Sequence, residues 1–139
     1  QTKMERRSFI KASCTLCGLA LVPGLLNSCS KSSTTTNKNV NFTLDLSSST
    51  NSALQNVGGY VVSNDVIVIR TGSGSFIALS ALCTHQGCTV GYNANSKQLV
   101  CPCHGGTFDT NGTVLAGPPP KPLQKFTVTQ SGNTLTIKS

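Results

Sequence analysis

Cys83-Thr84-His85-Gln86-Gly87-Cys88 is followed, after twelve intervening residues, by Cys101-Pro102-Cys103-His104-Gly105-Gly106. The chain contains two histidines, His85 and His104, and each lies within three residues of a cysteine in one of these blocks. Thiolate and neutral imidazole are the side chains that hold borderline and soft transition metals. Two short blocks that concentrate them mark the candidate functional centre.

The flanking sequence sets the fold. Asn41 to Leu46 alternates polar and apolar residues; Tyr60-Val61-Val62, Asn64-Asp65 and Val66 to Arg70 read as a hairpin. Gly72-Ser73-Gly74 turns the chain into Phe76 to Leu79. Gln98 to Val100 leads into the second block, and Phe126 to Thr129 and Thr134 to Ile137 flank Ser131-Gly132-Asn133 as a closing hairpin. No stretch after residue 40 sustains a helical period. The expected class is all-β, an antiparallel sandwich or small barrel in one domain without repeats, with both Cys/His blocks on loops.

Composition narrows the function classes. The 139 residues carry a formal charge of +7, but Lys3, Arg6, Arg7 and Lys11 against Glu5 account for much of it. From residue 29 onward seven basic residues face three acidic ones, with no Arg-rich stripe and no run of aromatics, so nucleic acid is not an expected partner. Charged residues are 11% of the chain, which makes a largely neutral, polar surface.

Residues 1–28 read as an export signal. Met4 to Lys11 is a charged start, and Ala12 to Leu26 supplies fifteen mostly apolar residues broken by Ser13, Thr15, Gly18 and Pro23-Gly24. That is shorter than the ~20 apolar residues of a membrane-spanning helix. Arg6-Arg7-Ser8-Phe9-Ile10-Lys11 resembles a twin-arginine signal, an address for cargo exported already folded. Leu26-Asn27-Ser28-Cys29 resembles a lipoprotein cleavage box, which would make Cys29 the lipidated first residue; uncleaved retention by the apolar stretch is the alternative. Residues 29–39 then form a flexible tether, spanning about 17 Å for ten residues, and residues 40–139 the folded domain. Cys14 and Cys17 fall inside the apolar part of the signal, so Cys83, Cys88, Cys101 and Cys103 are the cysteines left to the domain.

The pattern C-x-H-x-x-C, then fifteen residues between His85 and Cys101, then C-P-C-H-G, resembles the Rieske family of [2Fe–2S] proteins. The resemblance covers roughly residues 58–137. It implies that Cys83 and Cys101 hold one iron through thiolates and that His85 and His104 hold the other through imidazole. It also implies a disulfide between Cys88 and Cys103, of a kind that persists in an exported location. Replacing two charged thiolates by neutral imidazoles makes one iron easier to reduce, and an imidazole that gains a proton on reduction couples electron to proton transfer. A closed zinc site of two cysteines and two histidines is the competing reading, and it leaves Cys88 and Cys103 without a role.

Two further features follow from the resemblance. Pro118, Pro119 and Pro120, in Gly117 to Pro122, correspond to a proline loop that covers one side of the cluster; by composition alone they make a stiff turn. High-potential members carry Ser and Tyr where this chain has Gly106 and Phe108, so two hydroxyl donors are missing and a lower reduction potential is expected.

The implied function is electron transfer by a membrane-tethered redox carrier or subunit on the outer, periplasmic face of a bacterial cytoplasmic membrane. Its partners would be a cytochrome or oxidase subunit. Alternatives are the iron–sulfur subunit of a quinol-oxidising cytochrome bc/bf-like complex, acting with a cytochrome b, and a small Rieske subunit of a larger oxidase. A catalytic oxygenase subunit is not expected, because both histidines are engaged and none remains for a two-histidine, one-carboxylate iron site.

Overall fold

A computed structural model describes residues 39–139. The expected export signal, the candidate lipidation residue Cys29 and the expected tether up to Lys38 lie outside the described residues. Among the described residues no helix is long and apolar enough to cross a membrane.

Among the described residues, ten strands build two antiparallel sheets. The larger uses β1 (Asn41–Asp45), β2 (Tyr60–Ser63), β3 (Val66–Gly72), β4 (Ser75–Ser80), β9 (Lys125–Ser131) and β10 (Thr134–Lys138), in the order β1-β10-β9-β4-β3-β2. The smaller uses β5 (Gly91–Asn93), β6 (Gln98–Val100), β7 (Thr107–Phe108) and β8 (Val114–Ala116), in sequential order. This is the all-β architecture that the alternating pattern implies.

The β2–β3 hairpin turns at Asn64 and Asp65, both at positive φ (53° and 62°), and sets Ser63 opposite Val66. Two consecutive left-handed residues make the tight turn whose twist matches the flanking strands, and Asn and Asp tolerate that conformation better than other side-chain-bearing residues. In β3, Val66, Ile67, Val68 and Ile69 are all buried, although the strand lies at the second position from a sheet edge. The reason is a core on each face. Ile67 and Ile69 join Leu79, Val90, Leu99, Phe108 and Leu123 on one side, while Val66 and Val68 join Leu44, Leu54, Phe126, Leu135 and Ile137 on the other. A strand covered on both faces reads as an unbroken apolar run because each of its two side-chain rows needs burial.

The sequence reading misses four short elements. A 3₁₀ helix over Ser49–Gln55 buries Leu54, and its carbonyls at Leu54 and Gln55 accept from Arg70 Nη1 at 3.1 and 2.8 Å. Strands β5, β7 and β8 are two or three residues long, too short to display an alternation. They matter for the site, because β5 to β8 frame the two Cys/His blocks: the first lies between β4 and β5, the second between β6 and β7.

Candidate metal centre

The two blocks fold into the same turn. Cys83 N–H donates to Cys88 O (2.8 Å) and Gly87 N–H to Cys83 O (2.8 Å); Cys101 N–H donates to Gly106 O (2.8 Å) and Gly105 N–H to Cys101 O (3.0 Å). Each turn therefore closes on its first cysteine from the fourth and fifth residues beyond it. The fourth is glycine in both, at φ 74° and 71°, the left-handed region that a side chain disfavours. Sequence spacing alone thus builds two matching arms, with histidine second after Cys83 and third after Cys101.

Each arm is rooted in the core. Cys83 and Cys101 are 3% and 2% exposed, free of any disulfide, and members of the apolar cluster under the smaller sheet. The Cys83 thiol is pushed above its ordinary value, chiefly by burial, and further by the neighbouring Cys101 sulfur that hydrogen-bonds to it; amide N–H groups of His85 and Gln86 work in the opposite direction. Two adjacent buried thiolates repel one another unless a cation lies between them. The Gln86 amide is a sulfur-directed donor that side-chain reading of the sequence does not reveal.

The His85 and His104 rings meet edge to face with centroids 4.8 Å apart. His85 is half-buried and His104 exposed. His85 Nδ1 is a fully buried polar atom with no hydrogen-bond partner, and among the described residues it stands alone in that condition. Such an atom costs about 1–3 kcal/mol unless something satisfies it. A metal ion does so directly, since neutral imidazole coordinates through a bare ring nitrogen.

Cys88 and Cys103 form a disulfide, Cα to Cα 6.5 Å, that ties the two arms together. The sulfurs of Cys88, Cys101 and Cys103 lie within 4.8 Å of one another, the one trio among the described residues gathered tightly enough for a single ion. Two of those sulfurs are bonded to each other and have no thiolate to offer, so this trio is not a metal site. The four remaining donors present themselves as a sulfur pair and an imidazole pair, which fits a two-iron cluster better than a single tetrahedral zinc.

The third loop follows β8. Thr84 Oγ1, between Cys83 and His85, donates to Lys121 O at 2.6 Å, and Leu123 N–H donates to Gly112 O at 2.9 Å. The loop is therefore pinned to the first arm as well as to the core; Thr84 is a contact that the sequence reading does not single out. Of Pro118, Pro119 and Pro120, only Pro119 is buried. Phe108, at the end of β7, is wholly buried with no side-chain hydroxyl. A cleft of about 410 Å³ at Arg70 and Phe76 includes none of these residues.

Two antiparallel sheets that carry matched Cys/His arms, bridged by a disulfide and flanked by a proline loop, define an all-β iron–sulfur protein. A model of the Rieske [2Fe-2S] domain matches residues 42–127, and the chain belongs to that family. One [2Fe–2S] cluster is its cofactor. Among relatives, the cytochrome b6-f complex iron-sulfur subunit of Chlorobaculum tepidum is 36% identical over 69 residues, which is 50% of this chain and 38% of that protein. The corresponding subunit of Synechococcus sp. (strain JA-3-3Ab) is 42% identical over 67 residues, 48% of this chain and 39% of that protein. The chain thus matches less than two fifths of the length of these relatives. Among solved structures, the cyanobacterial plasma membrane Rieske protein PetC3 from Synechocystis PCC 6803 superposes with a TM-score of 0.57 at 31% identity, covering 70% of this chain and 99% of that one.

Proposed function

We propose that the protein is a one-electron carrier in which Cys83 and Cys101 hold one iron of the cluster and His85 and His104 hold the other. The observation that carries this reading is the orphaned, buried Nδ1 of His85, set against the His104 ring, in a pair of arms whose first cysteines are free, buried thiols. When bound, a cluster of this type accepts and returns single electrons. The chain's own residues do the rest. Burial of Cys83 and Cys101 keeps water from the thiolates, and the amides of His85 and Gln86 aim positive dipoles at the Cys83 sulfur. The exposed His104 leaves the imidazole side of the site open to a redox partner.

The partner class follows from the relatives. Subunits of cytochrome b6-f complexes match about half of the chain, and this supports service to a membrane cytochrome, with quinol reached through a cytochrome b. The missing hydroxyls at Gly106 and Phe108 favour instead a carrier of lower potential, tethered to the membrane by Cys29 or the uncleaved apolar segment and facing the periplasm. The two readings separate by potential. The test is a redox titration followed by electron paramagnetic resonance on membranes of the native host. The expected result is a rhombic [2Fe–2S] signal that titrates as one electron, lost on substitution of any of the four ligands. A protein that carries stoichiometric zinc and no acid-labile sulfide refutes the assignment. A potential well below that of the quinone pool removes the quinol-oxidising reading.

A further inference from the structure

Gly105 and Gly106 are neighbours with opposite reasons for being glycine. Gly105 needs its positive φ, and a Cβ there would meet nothing within 4 Å. Gly106 has no positive φ, so its backbone suits any residue, yet a Cβ built on it would lie 2.5 Å from Pro119 Cγ and 2.6 Å from Pro119 Cδ. Carbon atoms in favourable contact stand about 3.5–4.0 Å apart. The Pro119 ring fills the space that a side chain at 106 would use. It is also the sole buried residue in the stretch 115–122.

Neither partner is free to retreat. Gly106 O accepts the Cys101 N–H, so a shift of Gly106 pulls on a thiol of the centre, and the next residue, Thr107, is locked in register with Val100. On the other side, Lys121 O is held by Thr84, and Leu123 is buried with its N–H bonded to Gly112 O. Overpacking at a site anchored from both sides relaxes poorly.

We propose that Gly106 and Pro119 are a coupled positioning pair: the proline ring and a hydroxyl-bearing side chain at 106 are mutually exclusive occupants of one space beside the cluster, so this chain has exchanged a hydrogen-bond donor for an apolar plug. The consequence for potential rests on the four-ligand reading; the packing exchange does not. Adding serine at 106 while the ring remains displaces the loop before it supplies a useful donor. Pro119 thereby determines whether the potential can be tuned from position 106 at all.

The test is a cycle of the full chain with Gly106→Ser, Pro119→Ala and both changes, alongside Gly106→Ala with Pro119→Ala to separate hydroxyl from bulk. Thermal unfolding of the proteins as purified reads the packing, and the midpoint potential of the same loaded proteins reads the donor. Gly106→Ser alone should lower Tm by on the order of 10 °C, and Pro119→Ala on top of it should restore more than half of that loss. The potential should then rise above that of Pro119→Ala with serine at 106, but not with alanine. If Gly106→Ser alone yields no folded protein, folded double variant is the same coupling at its strongest. Tm changes that simply add, a double variant that fails to fold, or a potential indifferent to serine against alanine overturns the proposal. An absent paramagnetic signal in the unaltered protein removes the cluster reading instead, and the Tm cycle still decides the pair.

Discussion

Replacing Cys88 and Cys103 together by alanine removes the one bridge between the two arms. The bridged residues are 15 apart in sequence, and closing a loop of that size restricts the unfolded chain by about 3 kcal/mol in the chain-entropy model. For a domain of about 100 residues each kcal/mol corresponds to roughly 4–8 °C in Tm, so the expected drop is about 15 °C. Cys88 also packs against the apolar cluster while Cys103 is exposed, so truncation at 88 adds a small packing loss to the loop term. A reductant control on the unaltered protein isolates the loop contribution, and alanine at both positions prevents exchange with the nearby Cys101 sulfur. The assay is thermal unfolding of the cluster-free protein by circular dichroism. A drop under about 3 °C in both experiments would show that the arms are held by their own turns and by the core, and the loop-closure reasoning would be refuted.

Other perturbations address the remaining elements. Burial tends to raise the Asp109 carboxyl, but hydrogen bonds from the Thr113 and Asn111 amides, at 2.8 Å each, hold it below the ordinary carboxylate value. Its contribution to stability is therefore complete above the unfolded-state value and is lost as pH falls through the lower folded-state value. Asp109→Asn should flatten the acid limb of a Tm-against-pH curve, and an unchanged limb contradicts this. Phe108→Ala empties a wholly buried site and should cost about 3–5 kcal/mol by urea denaturation. Phe108→Tyr should raise the midpoint potential if the hydroxyl reaches a sulfur, and no shift in a voltammetric measurement rules out the donor argument at that position. Thr84→Val removes the bond to Lys121 O and should cost about 1 kcal/mol, with faster proteolysis between residues 115 and 122 as the local readout.

What was legible in the sequence was whatever depended on local chemistry. The long strands announced themselves because β-branched runs such as Val66 to Ile69 end at turn residues, and the observed hairpins turn at Asn64-Asp65 and around Gly132 as expected. The Cys/His spacing was equally visible, since each arm is six consecutive residues. Strands β5, β7 and β8 were not visible, because two or three residues take their pairing from neighbours rather than from their own pattern. The 3₁₀ helix is polar apart from Ala53 and Leu54 and is capped by a side chain from β3, fifteen and more residues away. The contact of Gly106 with Pro119 was hidden for the same reason. Glycine looks alike in a sequence whether it serves a backbone angle or a neighbour's ring.

The repeated backbone turn at Cys83 and Cys101 works as a pair of identical tool holders. Because closure depends on the cysteine amide, its carbonyl, one glycine and the carbonyl of the fifth residue, the side chains at 85, 86, 102 and 104 are carried by the turn, while Thr84 and Cys103 are tied to the third loop and to Cys88. Moving histidine from 85 to 86 is thus an exchange of fitting with no re-cutting of the mount, and libraries confined to 85, 86, 102 and 104 are where new reactivity can be sought while the sheets stay as they are.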